Sequence, residues 1–163
     1  MPPACRTRAY RSQRMLKSQG SHLHQRLALF WARRAQFLYS HPVIALLTFV
    51  TASVWIVFGT WFKLFGMVPR HRLIIAAVVG EVAAGPITLV VGAAETALAL
   101  WIISGVYPRI CAAAQSLAIV TMNTFELTYA RNLLLSPGLM ICLNAVLLTV
   151  VWYWALTATK TRS

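Results

Sequence analysis

A chain of 163 residues, 59% of them hydrophobic and 11% charged, with a mean hydropathy of +0.67, falls well below the roughly 25% charged residues of a water-soluble domain. A soluble fold of this length needs a large polar surface, and beyond Tyr39 the polar residues are too few and scattered to cover one, so lipid is the expected solvent. The formal charge of +12 could suggest nucleic acid, but eight of the 15 Lys and Arg residues stand before Ser40, directly ahead of an apolar run; that arrangement is a retention signal facing anionic lipid, and no nucleic-acid partner is expected.

Residues 1–20 are polar, basic and punctuated by Pro2, Pro3 and Gly20, the composition of a disordered segment. An Arg-rich start free of acids also fits an organellar transit peptide, or a start set too early with Met15 as the true initiator. From Ser21, a candidate N-cap, Leu23, Leu27, Phe30, Trp31, Phe37 and Leu38 recur at helical spacing while Arg26 and Arg33 lie off that stripe. This predicts an amphipathic juxtamembrane helix over 21–41, lying on the cytoplasmic face. Pro42 opens an apolar run to Phe62, about 31 Å at 1.5 Å per residue, which matches a hydrocarbon core of roughly 30 Å.

A loop over 63–72 follows. The next run, 73–84, contains Glu81 and is too short to cross, so it reads as a re-entrant or interfacial helix broken from the second span by Gly85 and Pro86. The second span covers 86–104, a tight turn covers 105–108, the third span runs from 109 to about 128, and the fourth covers 138–157. The expected fold is all-α, a transmembrane four-helix bundle over 42–158 with a short helix before its second span and a cytoplasmic tail over 159–163. With the N-terminus inside, eleven basic residues fall on the cytoplasmic side, against Lys63, Arg70, Arg72 and Arg131 outside. The positive-inside rule then puts both termini in the cytoplasm.

The three cysteines, Cys5, Cys111 and Cys142, show no two-residue spacing of a redox or metal motif, and His22, His24, His41 and His71 all fall outside the apolar spans. No metal site and no intrinsic cofactor is expected. Cys111 and Cys142 should lie about 20 Å apart in depth, too far for a disulfide.

The only acids are Glu81, Glu95 and Glu126. A carboxylate near mid-bilayer costs about 2.5–3.5 kcal/mol, so it faces the bundle interior with a partner or stays protonated. Helical geometry places Thr88, Gly92, Glu95 and Ala99 on one face of the second span and Thr48, Thr51, Trp55, Gly59 and Lys63 on one face of the first. Gln115 and Glu126 share a face of the third span with Asn123 beside them, and the fourth contributes Asn144. Counted from the outer ends, Glu95, Asn123, Asn144 and Glu126 converge in the outer half of the bundle, with Lys63 at the rim and Gln115 deep toward the cytoplasm. Glu95, Asn123, Asn144, Lys63, Glu126 and Trp55 are therefore the candidate ligand-binding residues; no catalytic residue is assigned. The competing reading is that these groups are interhelical hydrogen bonds and ion pairs that fix packing. Trp61 and Trp101 suit an interfacial belt.

The order Trp55…Gly59…Lys63-Leu64-Phe65, Gly92…Glu95, Pro108-Arg109, Met122-Asn123…Glu126 and Pro137…Asn144 resembles the DoxX-like proteins, small four-span bundles, over about residues 50–157. Some members of the wider family look like membrane subunits of quinone-linked oxidoreductases such as thiosulfate:quinone oxidoreductase, and others serve in redox-stress complexes. The resemblance thus implies the four-helix fold and a redox association, without carrying over a catalytic residue; the expected location is the bacterial inner membrane. Three functions follow: an accessory subunit of a membrane redox complex, binding a quinone or lipid in the outer-half cavity and docking a redox enzyme; a small proton-coupled transporter with Glu95 as the exchanging acid; and a structural membrane scaffold. On none of these readings is the chain expected to be an enzyme by itself.

Overall fold

A computed structural model describes residues 23–161, in two units, one ending at Ser40 and one beginning at His41. The expectations for residues 1–20, the Ser21 cap, the histidine at 22, and Arg162 lie outside the described residues. In the first unit residues 23–40 form helix α1. Leu23, Leu27, Phe30 and Trp31 are exposed, with the Phe30 and Trp31 rings edge to face at 5.2 Å, and the Ser40 hydroxyl donates to the Gln36 carbonyl at 3.0 Å.

In the second unit, proline marks where helices begin. Pro42, Pro69, Pro108 and Pro137 each occupy the first position of a helix: α2 (Pro42–Ile56), α3 (Pro69–Val79), α5 (Pro108–Tyr129) and α6 (Pro137–Lys160). At that position the missing N–H has no intrahelical acceptor to lose, and the ring presets a helical φ. Helix α4 (Glu81–Ser104) instead follows Gly80, whose φ of 85° lies where side chains are strained and glycine is not.

That glycine corrects the expected boundary. The short helix is Pro69–Val79, not 73–84, and the break before the second span is Gly80, not Gly85 and Pro86. Pro86 is accommodated as the sixth residue of α4, near its N-terminus, where few backbone bonds are at stake. The apolar residues on both sides of Gly80 conceal the turn, because hydropathy registers burial and not φ.

Among the described residues, four helical segments are long and apolar enough to cross a bilayer: Pro42–Leu64, Glu81–Ser104, Pro108–Tyr129 and Pro137–Lys160. The first is α2 continued by a π-helical stretch, Val57–Leu64, which the Phe65 N–H closes onto the Thr60 carbonyl at 3.0 Å. All-helical spans satisfy the backbone internally, as hydrocarbon requires. Large apolar side chains such as Leu46, Phe49, Val90, Leu100 and Leu117 point outward, while the interior holds the small Ala52, Ala84, Ala99, Ala112, Ala155 and Ala158. Small residues at these contacts let helix backbones approach closely in lipid, while Trp55, Ile102 and Trp154 fill the interior beside them. The first span packs on α4 and α6, α5 packs on α6, and α3 packs on α4. Cys111 is buried and Cys142 exposed, and neither is in a disulfide.

The chain direction alternates through the four spans. The α4–α5 turn and the C-terminal end of α6 therefore mark one membrane side, while α3 and the short 3₁₀ turn Arg131–Leu133 belong to the other. Near the first side the Trp154 indole donates to the Thr48 hydroxyl at 2.9 Å, and Thr48 in turn donates to the Ile44 carbonyl at 2.7 Å.

Candidate functional site

The two polar faces read from the sequence are both buried: Thr48, Thr51, Trp55, Gly59 and Lys63 on the first span, and Thr88, Gly92, Glu95 and Ala99 on α4. They meet at Gly59 and Gly92. A Cβ built on Gly92 would stand 2.8 Å from the Gly59 carbonyl oxygen and 2.9 Å from Lys63 Cβ, so the two backbones touch there through the missing side chains. Beside this crossing the Thr60 and Thr96 hydroxyls share a hydrogen bond of 2.9 Å.

Close contact of the backbones brings Lys63 onto Glu95. The ammonium donates to both carboxylate oxygens, at 2.5 and 2.7 Å, and the residues are 8% and 4% exposed. Lys63, one residue from the end of the first span, is thus turned into the bundle interior. Its backbone is laid against Gly92, the twelfth residue of α4, and the long stem crosses apolar surface to its partner. A second polar link joins α5 and α6, where the Asn144 amide donates to the Asn123 carbonyl oxygen at 2.7 Å. Trp55 spends its indole N–H on Gln115 at 2.8 Å, and the Gln115 amide lies 3.5 Å from Cys111 Sγ.

These groups border a cavity of about 590 Å³, within the range of roughly 300–1,000 Å³ of small-molecule sites. All six residues singled out from the sequence, Trp55, Lys63, Glu95, Asn123, Glu126 and Asn144, line it. The apolar part of the wall comes from Val54, Phe58, Ile119, Met140, Leu143 and Leu147. The cavity lies toward the membrane side of α3, away from the α4–α5 turn. Gln115 does not line it.

Sequence reasoning missed Arg70 and His71, which also face the cavity. Both sit in the first turn of α3, a segment read as loop; the signal that could have found them is Pro69, a helix-opening residue directly ahead of two polar side chains. The His71 ring stacks on Phe62 at 5.5 Å and meets the edge of Phe58 at 6.0 Å. Burial, and then the nearby charges of Lys63 and Arg70, push its pKa down to about 4, so His71 is a neutral imidazole at pH 7, able to donate through one nitrogen and accept through the other. Neither the Arg70 nor the Glu126 side chain makes a hydrogen bond or ion pair with another described residue; the ion pair at this site is Lys63–Glu95. Among the described residues, His, Cys, Asp and Glu side chains nowhere gather in threes that could hold a metal ion.

Chemically, the cavity joins an apolar wall to a polar end that combines a closed ion pair, an amide pair, a neutral imidazole, and a guanidinium and a carboxyl group whose side chains make no hydrogen bond or ion pair with the described residues. It suits an amphipathic molecule with a polar head. No curated protein and no solved structure matches the chain. The DoxX-like family, however, matches residues 52–152, a stretch that contains α4 and α5 whole and all six of the residues singled out. With well over half its length matched and four apolar helices long enough to cross a bilayer, the chain belongs to the DoxX-like family and is a multi-pass integral membrane protein.

Proposed function

We propose that this protein is an accessory subunit of a quinone-linked redox complex in the bacterial inner membrane, and that its cavity binds the ring of a quinone or a similar amphipathic molecule. The observation that carries this reading is the cavity itself: about 590 Å³, walled by aliphatic and aromatic side chains, with Asn123 and Asn144 at its polar end. Quinone oxygens need hydrogen-bond donors beside an apolar slot for the ring and tail, and this cavity offers both. The electron-carrying centre belongs, on this reading, to a partner enzyme docked in the membrane, and this chain contributes binding and orientation. Glu95, held by two hydrogen bonds to Lys63, gives less support to a transporter in which it would exchange its proton freely.

A short-chain benzoquinone titrated calorimetrically into the detergent-purified protein should saturate a single site. The double substitution Asn123→Leu with Asn144→Leu removes both members of the amide pair, so no orphaned polar group remains. It should weaken binding up to about tenfold, the equivalent of a hydrogen bond of about 1.4 kcal/mol, while leaving the melting temperature nearly unchanged. Absence of saturable binding in the unmodified protein would overturn the reading.

The same proposal places both termini in the cytoplasm, following the excess of basic residues at the N-terminal end and beside the α4–α5 turn. The cavity then opens in the outer half of the bilayer. Reporter fusions to either terminus should report a cytoplasmic location, and an external signal from one of them would reverse the assignment.

A further inference from the structure

The cavity contains two carboxylates in opposite situations. Glu95 is satisfied: both oxygens accept from Lys63, and its Cβ backs onto the Gly59 crossing. The Glu126 carboxyl group faces the same cavity with no hydrogen-bonding or ionic partner among the described residues, and the Arg70 guanidinium faces it in the same condition. The half-buried Arg70 guanidinium and the half-buried Glu126 carboxyl border one cavity and form no ion pair with each other, so a ligand head in that cavity could serve both.

Arg70 is charged at any physiological pH and can only donate. In a largely apolar cavity whose other cation, Lys63, is already neutralised by Glu95, electroneutrality favours Glu126 as the ionised counterpart of Arg70. An ionised carboxylate can only accept. The head that fits must therefore present an acceptor to Arg70 and a donor to Glu126 and carry no net charge. An oxidised quinone offers acceptors alone, and its carbonyl oxygen would be turned against the Glu126 carboxylate. A hydroquinone offers an O–H to Glu126 and oxygen lone pairs to Arg70.

We infer that the site selects the reduced, hydroquinone form of its ligand through Arg70 and Glu126, with Glu126 accepting a hydrogen bond from a ring hydroxyl and Lys63–Glu95 serving as a fixed wall. This rests on the quinone-class reading above and assigns no electron transfer to this chain. Charge-assisted hydrogen bonds are stronger than neutral ones, so discrimination of about tenfold or more is expected.

The experiment compares a short-chain benzoquinone with its hydroquinone, kept reduced under anaerobic conditions, on the full-length protein in detergent by calorimetry. The unmodified protein should bind the hydroquinone about tenfold or more tightly than the quinone. Glu126→Gln, which keeps shape and can donate as well as accept, should bring the two affinities to within about twofold by weakening the reduced form and strengthening the oxidised one; Arg70→Gln should weaken both. Equal affinities in the unmodified protein, or a tighter quinone, overturn the inference without any variant, and so does a preference that survives Glu126→Gln. If neither form binds, the quinone-class reading itself fails.

Discussion

Lys63→Met should destabilise the folded bundle by about 3–5 kcal/mol, read as a loss of melting temperature in a single detergent. The substitution keeps the length and apolar volume of the stem and removes only the ammonium, so what it tests is the charge left behind. Glu95 is 4% exposed and takes both of its hydrogen bonds from Lys63. With that partner gone, its carboxylate must be buried alone or take up a proton. Breaking a buried pair from one side costs about this much, whereas replacing both members by apolar residues is often neutral or stabilising. The double variant Lys63→Met with Glu95→Leu should accordingly recover most of the loss. Glu95→Gln should fall between, since the amide oxygen can still accept from Lys63 while the opposite charge is missing. A Lys63→Met protein as stable as the unmodified one would mean that the pair is not formed in the bilayer protein, and the account of the cavity wall would fall with it.

The pair also marks where sequence reading stops. Four spans are legible because lipid simplifies the problem: a segment must be helical and apolar for about 30 Å, and hydropathy detects that directly. The buried faces of the first span and α4 are legible for a similar reason, since in an apolar environment small and polar residues repeating every three or four positions have nowhere favourable to go except the helix interface. Which face meets which is a different kind of fact. Lys63 could be drawn toward Glu95, Asn123 or Asn144 by depth counting alone, and the choice is made by the contact of Gly59 with Gly92, which is tertiary. Arg70 and His71 escaped notice because charge in a short segment between spans reads as a solvated loop. Their approach to the cavity depends on α3 packing against α4, and on Pro69 starting that helix four residues before the apolar run.

The expected consequence of the glycine contact is that Gly92→Ala and Gly59→Ala each destabilise the protein by about 1–3 kcal/mol, the usual cost of forcing volume into a closed interface. At Gly92 the new methyl would stand 2.8 Å from the Gly59 carbonyl oxygen and 2.9 Å from Lys63 Cβ; at Gly59 it would stand 2.7 Å from Glu95 Cβ, 2.8 Å from the Gly92 carbonyl oxygen and 2.9 Å from the Thr96 nitrogen. Three of these five neighbours are backbone atoms and the other two are the first atoms of the side chains that make the ion pair, so relief requires the helices to separate. Separation lengthens the Lys63–Glu95 and Thr60–Thr96 contacts together. The π-helical winding of Val57–Leu64 belongs to the same contact, because a helix bonded from i to i+5 turns less per residue and keeps Gly59 and Lys63, four residues apart, more nearly in line against α4 than an α-helix does. Since both substitutions open one interface, the double variant should lose less than the sum of the single losses. Gly138→Ala is the control: it lies in the first turn of α6, meets nothing within 4 Å and should change stability by no more than about 0.5 kcal/mol. Thermal melts of the three single variants in one detergent would settle the matter, and a Gly92→Ala protein that melts with or above Gly138→Ala would show that the spans do not cross at this point.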